Sequence, residues 1–370
     1  MKNETVSVEL GERSYDIVVG ENLLQDGGNI IAPLLRQPRV IIISDSNVAP
    51  IYNDVLVDSL VSEGIHHESL VLPAGESTKS FKYFAELVNS ILALGIERST
   101  CLVALGGGVI GDLVGYAAAS VLRGIDFVQI PTSLLAQVDS SVGGKTGINT
   151  VHGKNLVGAF HQPRLVLCDV GVLDTLPERE LKAGYAEVVK YGLIGDEQFF
   201  NWLECHGSDV CEGNKVSRQR AVVKSCKAKA KIVVEDEQEA GRRALLNFGH
   251  TFGHAYEAAC NYTKNLNHGE AVILGIKTAV KFSFKKKYLN KATYNKIIMH
   301  IKKINFKLSV NKIFKKKDIN KILGFMLNDK KNISSKINLV LLKGIGSPII
   351  NKSFHSNEIK KFFLKELINL

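Results

Sequence analysis

Short, unbroken apolar runs separated by segments of helical spacing constrain this 370-residue chain more than any other feature. "RVIIISDSNV" (39–48), "HHESLVLPAG" (66–75), "STCLVALGGG" (99–108), "FVQIPTS" (127–133) and "RLVLCDV" (164–170) each read as a strand. A strand with one wet face alternates apolar and polar residues. A strand buried on both faces does not, and such strands belong to parallel sheets covered by helices. Between them, "SFKYFAELVNSILALG" (80–95) has helical spacing and stops at Gly95. Val6, Val8 and Leu10 alternate and predict one more strand. The pattern therefore predicts an α/β domain over 1–177 built on a parallel sheet. After "TLPERE" (175–180), long periodic runs with few β-branched clusters predict a mainly α-helical domain over 178–370.

Composition narrows the setting. Cys101, Cys168, Cys205, Cys211, Cys226 and Cys260 are scattered without a C-x-x-C pair, which argues against a disulfide framework and for a reducing, cytoplasmic home. The most apolar stretch, 101–122, is broken by Asp112 and several glycines, so no membrane span is expected. The net charge of +10 raises the question of nucleic acid. Much of it lies in 281–321, a Lys-, Asn- and Ile-rich segment whose only acid is Asp318. Charge runs without a binding motif read as solvated helix faces, so no nucleic-acid partner is expected.

"DSSVGGKTGIN" (139–149) resembles the end of a P-loop. That loop needs a glycine five residues before its G-K-[ST], because backbone N–H groups must wrap a phosphate. Counting back from Gly144, Lys145 and Thr146, the position holds Asp139, a carboxylate where phosphate oxygens would lie. The loop is therefore not a triphosphate cradle.

Two other constellations carry chemistry. "GGGVIGD" (106–112) follows a strand and opens a helix, and Gly106, Gly108 and Gly111 match the G-x-G-x-x-G of a dinucleotide turn. Val109, Ile110 and Asp112 complete it. The strand-end acid, Asp45, precedes this turn instead of following it, so the parts come in a different order; "AGESTK" (74–79) offers further contacts through Glu76 and Lys79. In the second half, "NFGHTFGHAYE" (247–257) puts His250 and His254 one turn apart, "NHGEAV" (267–272) adds His268 at a helix start, and "AGYAEVVKYG" (183–192) pairs Glu187 with Lys190. Two imidazoles and a carboxylate from separate helices suit Zn²⁺ with one position open for substrate. Lys154, Asn155, Arg243 and Asn247 are donors for phosphate and carboxylate oxygens.

Taken together, "PAGESTK", "GGGVIGD", "RGIDFVQIPTSLLAQVDSSVGGKTGIN", "GKNLVGAFHQP", "PERELKAGYAEVVKYG", "LNFGHTFGHAYE" and "NHGEAV" resemble the 3-dehydroquinate synthase family, within the sugar-phosphate cyclases. The resemblance runs from about 40 to 276, fades over 281–321, and returns at "MLNDKKN" and "LVLLKGIG". It implies a Rossmann-like first domain, a helical second domain with the active site in the cleft between them, a homodimer, tightly held NAD⁺ and one divalent metal, Zn²⁺ or Co²⁺. The implied substrate is a small sugar phosphate, 3-deoxy-D-arabino-heptulosonate 7-phosphate. The implied reaction oxidises a ring carbon, eliminates phosphate, reduces the ketone again and closes a new ring, so NAD⁺ is returned and the overall step is a lyase reaction.

Residue by residue, the resemblance implies Glu187, His250 and His268 as metal ligands. It implies Asp139, Lys145, Lys154, Asn155, Lys190, Arg243, Asn247 and His254 at the substrate, with Arg123 reaching in from the other subunit. NAD⁺ positions are Asp45, Ala74, Gly75, Glu76, Ser77, Thr78, Lys79, Gly108, Val109, Ile110, Gly111, Asp112, Thr132, Ser133, Lys145, Lys154, Val172, Leu173, Asp174 and Thr175. The lysine of "DKK" is Lys330 or Lys331. Competing readings are an iron-type alcohol dehydrogenase and a cyclase of a substrate without a carboxylate. Neither needs to hold a phosphate and a carboxylate together, for which Lys154, Asn155 and Arg243 supply donors.

Overall fold

The computed structural model describes residues 1–239, 241–261, 266–304, 306, 308–327 and 336–368. Two compact units emerge, Met1–Leu181 with Gly213–Gln238, and Lys182–Glu212 with Glu239–Leu370.

The first unit holds β1 (Glu4–Val8), β2 (Tyr15–Gly20), β3 (Arg39–Asp45), β4 (His66–Leu72), β5 (Cys101–Gly106), β6 (Phe127–Pro131), β7 (Lys145–Thr150), β8 (Gly153–Phe160) and β9 (Leu165–Asp169). Its helices are α1 (Gly27–Ile31), α2 (Ala49–Ser62), α3 (Phe81–Ala93) and α4 (Gly108–Ser120). Seven strands form one sheet in the order β1-β2-β9-β6-β5-β3-β4. All neighbours run parallel except β1, which pairs antiparallel with β2. The apolar runs of β3, β5, β6 and β9 are buried on both faces, whereas β4, at the edge of the sheet, leaves Val71 exposed. Val40, Ile42, Val103 and Leu105 pack on one side with Leu56 and Leu60 of α2, while Ile41, Ile43, Leu102 and Ala104 pack on the other with Leu87 of α3 and Leu113 of α4.

Two expectations change here. The segment read as a loop over 139–149 divides into a turn of π-helix, Ala136–Ser140, and strand β7, which pairs antiparallel with β8. Gly143 and Gly144 hold left-handed φ of 93° and 63°, which reverses the chain and lets the strand start at Lys145. The second change concerns the division of the chain. A single cut after 177 does not describe the packing, because α5 (Glu178–Gly195) and α6 (Glu197–Glu212) are followed by α7 (Lys215–Glu235), and α7 returns to the first unit. Gln219 of α7 donates to the carbonyls of Lys2 and Val19 at 2.8 and 3.0 Å, and Ala221, Val222 and Cys226 are wholly buried. Periodicity alone could show that α7 has an apolar face but not which sheet that face meets.

The second unit contains the later part of α5, α6, α8 (His250–Ala259), α9 (His268–Lys285), α10 (Lys291–Lys303), α11 (Val310–Ile313), α12 (Ile319–Leu327) and α13 (Ser356–Phe362). It also contains an antiparallel hairpin of β10 (Lys336–Gly344) and β11 (Ser347–His355), an addition to the helical domain expected there. Asn267 and Glu270 cap α9 reciprocally, each side chain accepting from the other's backbone N–H at 2.9 Å. Small residues let three of these helices nearly touch. A Cβ on Gly275 of α9 would lie 2.0 Å from the Gly249 carbonyl, and one on Gly269 would lie 2.3 Å from Ala183 of α5. These contacts bring the histidine-bearing stretches and Glu187 within reach of one another.

Candidate active-site residues

In the second unit, the close approach of α5, α8 and α9 gathers the titratable side chains that the sequence scatters over eighty residues. His250, His254 and His268 each offer a ring nitrogen within 4.8 Å of the others. Their ring centroids lie 5.2 to 5.8 Å apart. Glu187, on α5, is fully buried and its Oε1 stands 3.3 Å from His250 Nε2. Its second oxygen pairs with Lys190, one turn further along the same helix and itself 1% exposed. His250 and His268 are buried or half-buried, whereas His254 is exposed. The imidazoles face away from water at one nitrogen: His250 Nδ1 lies 3.2 Å from the Phe248 carbonyl, and His268 Nδ1 lies 3.0 Å from Glu257 Oε2. Three imidazoles and a buried carboxylate form a donor set that suits Zn²⁺ or a similar divalent ion. Arg243 and Asn247 lie on the short helical turn that precedes α8. Arg243 is 1% exposed, and the Asn247 amide donates to the Ala244 carbonyl at 3.2 Å. Lys330 and Lys331 fall outside the described residues.

In the first unit, the expected cofactor residues cluster at the carboxyl ends of β3, β4, β5 and β6. In open α/β sheets this is where ligands are held. Asp45 ends β3 and its Oδ1 accepts from the N–H groups of Asn47 and Val48 at 2.9 and 3.2 Å. Ala74 leads into Gly75, whose φ of 113° suits glycine, and Glu76, Ser77 and Thr78 form a turn of 3-10 helix; the Thr78 hydroxyl donates to the Pro73 carbonyl at 2.6 Å. Lys79, 5% exposed, forms an ion pair with Asp112 on α4. Burial pushes the Asp112 carboxyl upward, against the lowering effect of that lysine. Gly108, Val109, Ile110 and Gly111 make the first turn of α4. Thr132 donates its N–H to the Gly106 carbonyl at 3.0 Å, and Ser133 follows it. Val172, Leu173 and Asp174 lie in the turn after β9, where the Tyr52 hydroxyl meets the Val172 carbonyl and Thr175 at 3.1 and 2.7 Å.

The substrate candidates of this unit fall in two groups. Lys154 and Asn155 lie on β8, with Lys154 Nζ 3.9 Å from Glu76 Oε1 and the Asn155 N–H donating to Asn149 Oδ1 at 3.1 Å. Lys145 opens β7 and is exposed. Asp139 ends up against α7, where Lys229 donates to its Oδ1 at 2.8 Å and to its backbone carbonyl at 2.6 Å. Arg123 is exposed on a tight turn in which Leu122, Arg123 and Gly124 all have left-handed φ, of 49°, 67° and 117°.

Sequence reasoning passed over Lys229, Asn149 and Glu257. Lys229 carried a usable signal, since Gln219, Val222, Cys226, Lys229 and Val233 recur at helical spacing and are all buried. A lysine on the dry stripe of a helix needs a partner. Asn149, whose amide donates to Glu76 Oε1 at 2.7 Å, and Glu257 depend on chain segments distant in sequence or on a neighbouring helix, and carry no such signal.

An α/β sheet with a glycine turn at its strand ends, together with a mainly helical unit, defines the fold class of the sugar-phosphate cyclases. The solved structures bear this out: 2-deoxy-scyllo-inosose synthase with carbaglucose-6-phosphate, NAD⁺ and Co²⁺ is 27% identical, with a TM-score of 0.86 over 97% of this chain and 99% of that one. The 2-epi-5-epi-valiolone synthase of Streptomyces hygroscopicus with NAD⁺ and Zn²⁺ is 28% identical, with a TM-score of 0.85 over 96% and 97%. An iron-containing alcohol dehydrogenase, 16% identical with a TM-score of 0.67, shares the fold. Within this class the chain belongs to the 3-dehydroquinate synthase family: the family's N-terminal sequence model matches residues 69–183 and its C-terminal one residues 184–332. The 3-dehydroquinate synthases of Rhodospirillum rubrum and Agrobacterium fabrum are 53% and 49% identical, over 95% and 96% of this chain and 91% and 95% of theirs.

Proposed function

We propose that this chain catalyses the reaction of its family, converting 3-deoxy-D-arabino-heptulosonate 7-phosphate to 3-dehydroquinate and phosphate. The observation that carries the reading is full-length likeness at 53% identity to a curated 3-dehydroquinate synthase. In this reading Glu187, His250 and His268 hold the divalent metal, and exposed His254 meets substrate. A fully buried carboxylate beside an imidazole nitrogen supports that choice, because it is the strongest anionic donor in the cluster. When bound, the metal supplies Lewis-acid polarisation of the substrate's hydroxyls, and NAD⁺ takes up and returns a hydride.

The chain's own residues orient and hold charge. Lys145, Lys154, Arg243, Asn155 and Asn247 supply cationic and amide donors to carboxylate and phosphate oxygens. Asp45, Glu76, Lys79, Asp112 and the glycine turn at 106–111 would hold the dinucleotide, and the first turn of α4 would offer backbone N–H groups to its pyrophosphate. Lys190 is the ion-pair partner of Glu187, and Lys229 holds the Asp139 carboxylate in place.

The reading extends to a cytoplasmic homodimer in which exposed Arg123 serves the neighbouring subunit. Among the described residues no helix is long and apolar enough to cross a membrane.

The test is phosphate release from the heptulosonate phosphate by purified protein, with and without a chelator. The expected result is metal-dependent release with catalytic NAD⁺ and no lasting NADH absorbance. Stoichiometric NADH from simple alcohols, without phosphate release, would move the chain to the dehydrogenases.

A further inference from the structure

We propose that Glu257 is a positioning residue for the metal centre: its carboxylate fixes the tautomer and ring orientation of His268, so that Nε2 is the nitrogen this imidazole offers. The proposal rests on the reading of His268 as a metal ligand. Glu257 Oε2 lies 3.0 Å from His268 Nδ1, and the glutamate side chain is 4% exposed. A carboxylate can only accept, so Nδ1 carries the proton and the Nε2 lone pair is left for the cluster. Glu257 is not part of the group formed by His250, His254 and His268, whose ring nitrogens lie within 4.8 Å of one another.

The placement follows from helix geometry. His250, His254 and Glu257 follow one another at intervals of four and three residues along α8, so they share one face. That face meets the start of α9, where the glycine contacts at Gly253 and Gly275 bring the two backbones together. One helix thus presents two imidazoles to the cluster and supports a third from its neighbour. Burying a carboxylate is costly unless it is hydrogen-bonded, and the His268 N–H is a charge-assisted partner for it.

The contrast with His250 sharpens the assignment. Its Nδ1 is backed by a neutral carbonyl, that of Phe248, at 3.2 Å. A carboxylate behind a ligating imidazole raises its basicity more than a carbonyl does, so the two rings differ as donors, with His268 the stronger. Outer partners of this kind commonly contribute about 10- to 100-fold to metal affinity.

The experiment measures Zn²⁺ affinity by competition with a chromophoric chelator, and the visible absorption of Co²⁺-loaded protein, for wild type, Glu257→Ala, Glu257→Gln and His268→Ala. Glu257→Ala should bind Zn²⁺ about 10- to 100-fold more weakly with a shifted Co²⁺ band, and Glu257→Gln, which keeps an acceptor but not the charge, about 10-fold more weakly. His268→Ala should lose stoichiometric metal. Wild-type affinity and an unchanged Co²⁺ band in both Glu257 variants, with metal lost in His268→Ala, would overturn the role of Glu257 alone. Wild-type affinity in His268→Ala would overturn the ligand reading beneath it. Should Glu257→Ala fail to melt cooperatively in chelator, the Glu257→Gln result decides.

Discussion

The two candidate regions are built by opposite means. At the strand ends of the first unit, the candidate positions lean on main chain: the turn at 106–111, left-handed Gly75 and the first turn of α4, with the buried Lys79–Asp112 pair beside them. In the second unit, they lean on side chains. Glu187, Lys190 and three imidazoles come from three helices and are held by buried pairs. A backbone site tolerates changes in side-chain charge but not an added Cβ. A side-chain site should show the reverse at its buried members, Glu187 and Lys190, because each loses its compensation when the other goes.

Glu187→Ala should show the largest effect. It removes one member of a wholly buried ion pair, which costs about 3–5 kcal/mol of stability, and it should abolish metal binding. Thermal melting and metal content check both. An unchanged melting temperature with metal retained would break the contrast at its strongest point. Lys145→Ala comes next. Here a side chain of the first unit is asked to serve as the substrate's counter-charge, so the loss should be about 2–5 kcal/mol of transition-state stabilisation, read as kcat/KM. Its exposure predicts little change in melting, and wild-type turnover would remove it from the site.

His300 tests the scaffold behind the side-chain site. Its Nε2 meets the Tyr185 hydroxyl at 3.1 Å, and Tyr185 lies on α5 two residues before Glu187. Burial, with help from Lys303, pushes its pKa from 6.5 down to about 4. The unfolded chain therefore takes up a proton before the folded one does. The stability this neutral imidazole contributes is fully present above pH 6.5 and is lost as pH falls toward 4, by about 3 kcal/mol. Urea midpoints over that range should fall less steeply in His300→Gln, and parallel curves would sink the assignment.

Gly108→Ala should be the smallest of the four, at about 1–3 kcal/mol from overpacking. The new Cβ would lie 2.8 Å from Ser140 Oγ. Weaker NAD⁺ binding by calorimetry, partly restored by adding Ser140→Ala, is the expected signature of a site shaped by backbone. NAD⁺ affinity equal to wild type in the single variant would mean that the turn has room to spare.

Much of this protein is fixed by patterns only a few residues long. Unbroken runs such as Leu102–Leu105 can be satisfied only between two helical layers, so the parallel sheet is legible in the order of residues itself. The glycine turn at 106–111 and the spacing of His250 and His254 are equally local, because one strand end or one helix face determines them. What tertiary structure decided is every relation between distant segments. Helix α7 carries an apolar stripe whose target sheet no spacing specifies, and its return to the first unit gives Asp139 its partner Lys229. Glu187 and His268 are eighty-one positions apart, and they converge because Gly269 and Gly275 let α9 approach α5 and α8 at backbone distance. Local pattern sets which face of an element must be dry; only packing sets which other dry face it meets, and a site made of side chains is a property of that meeting.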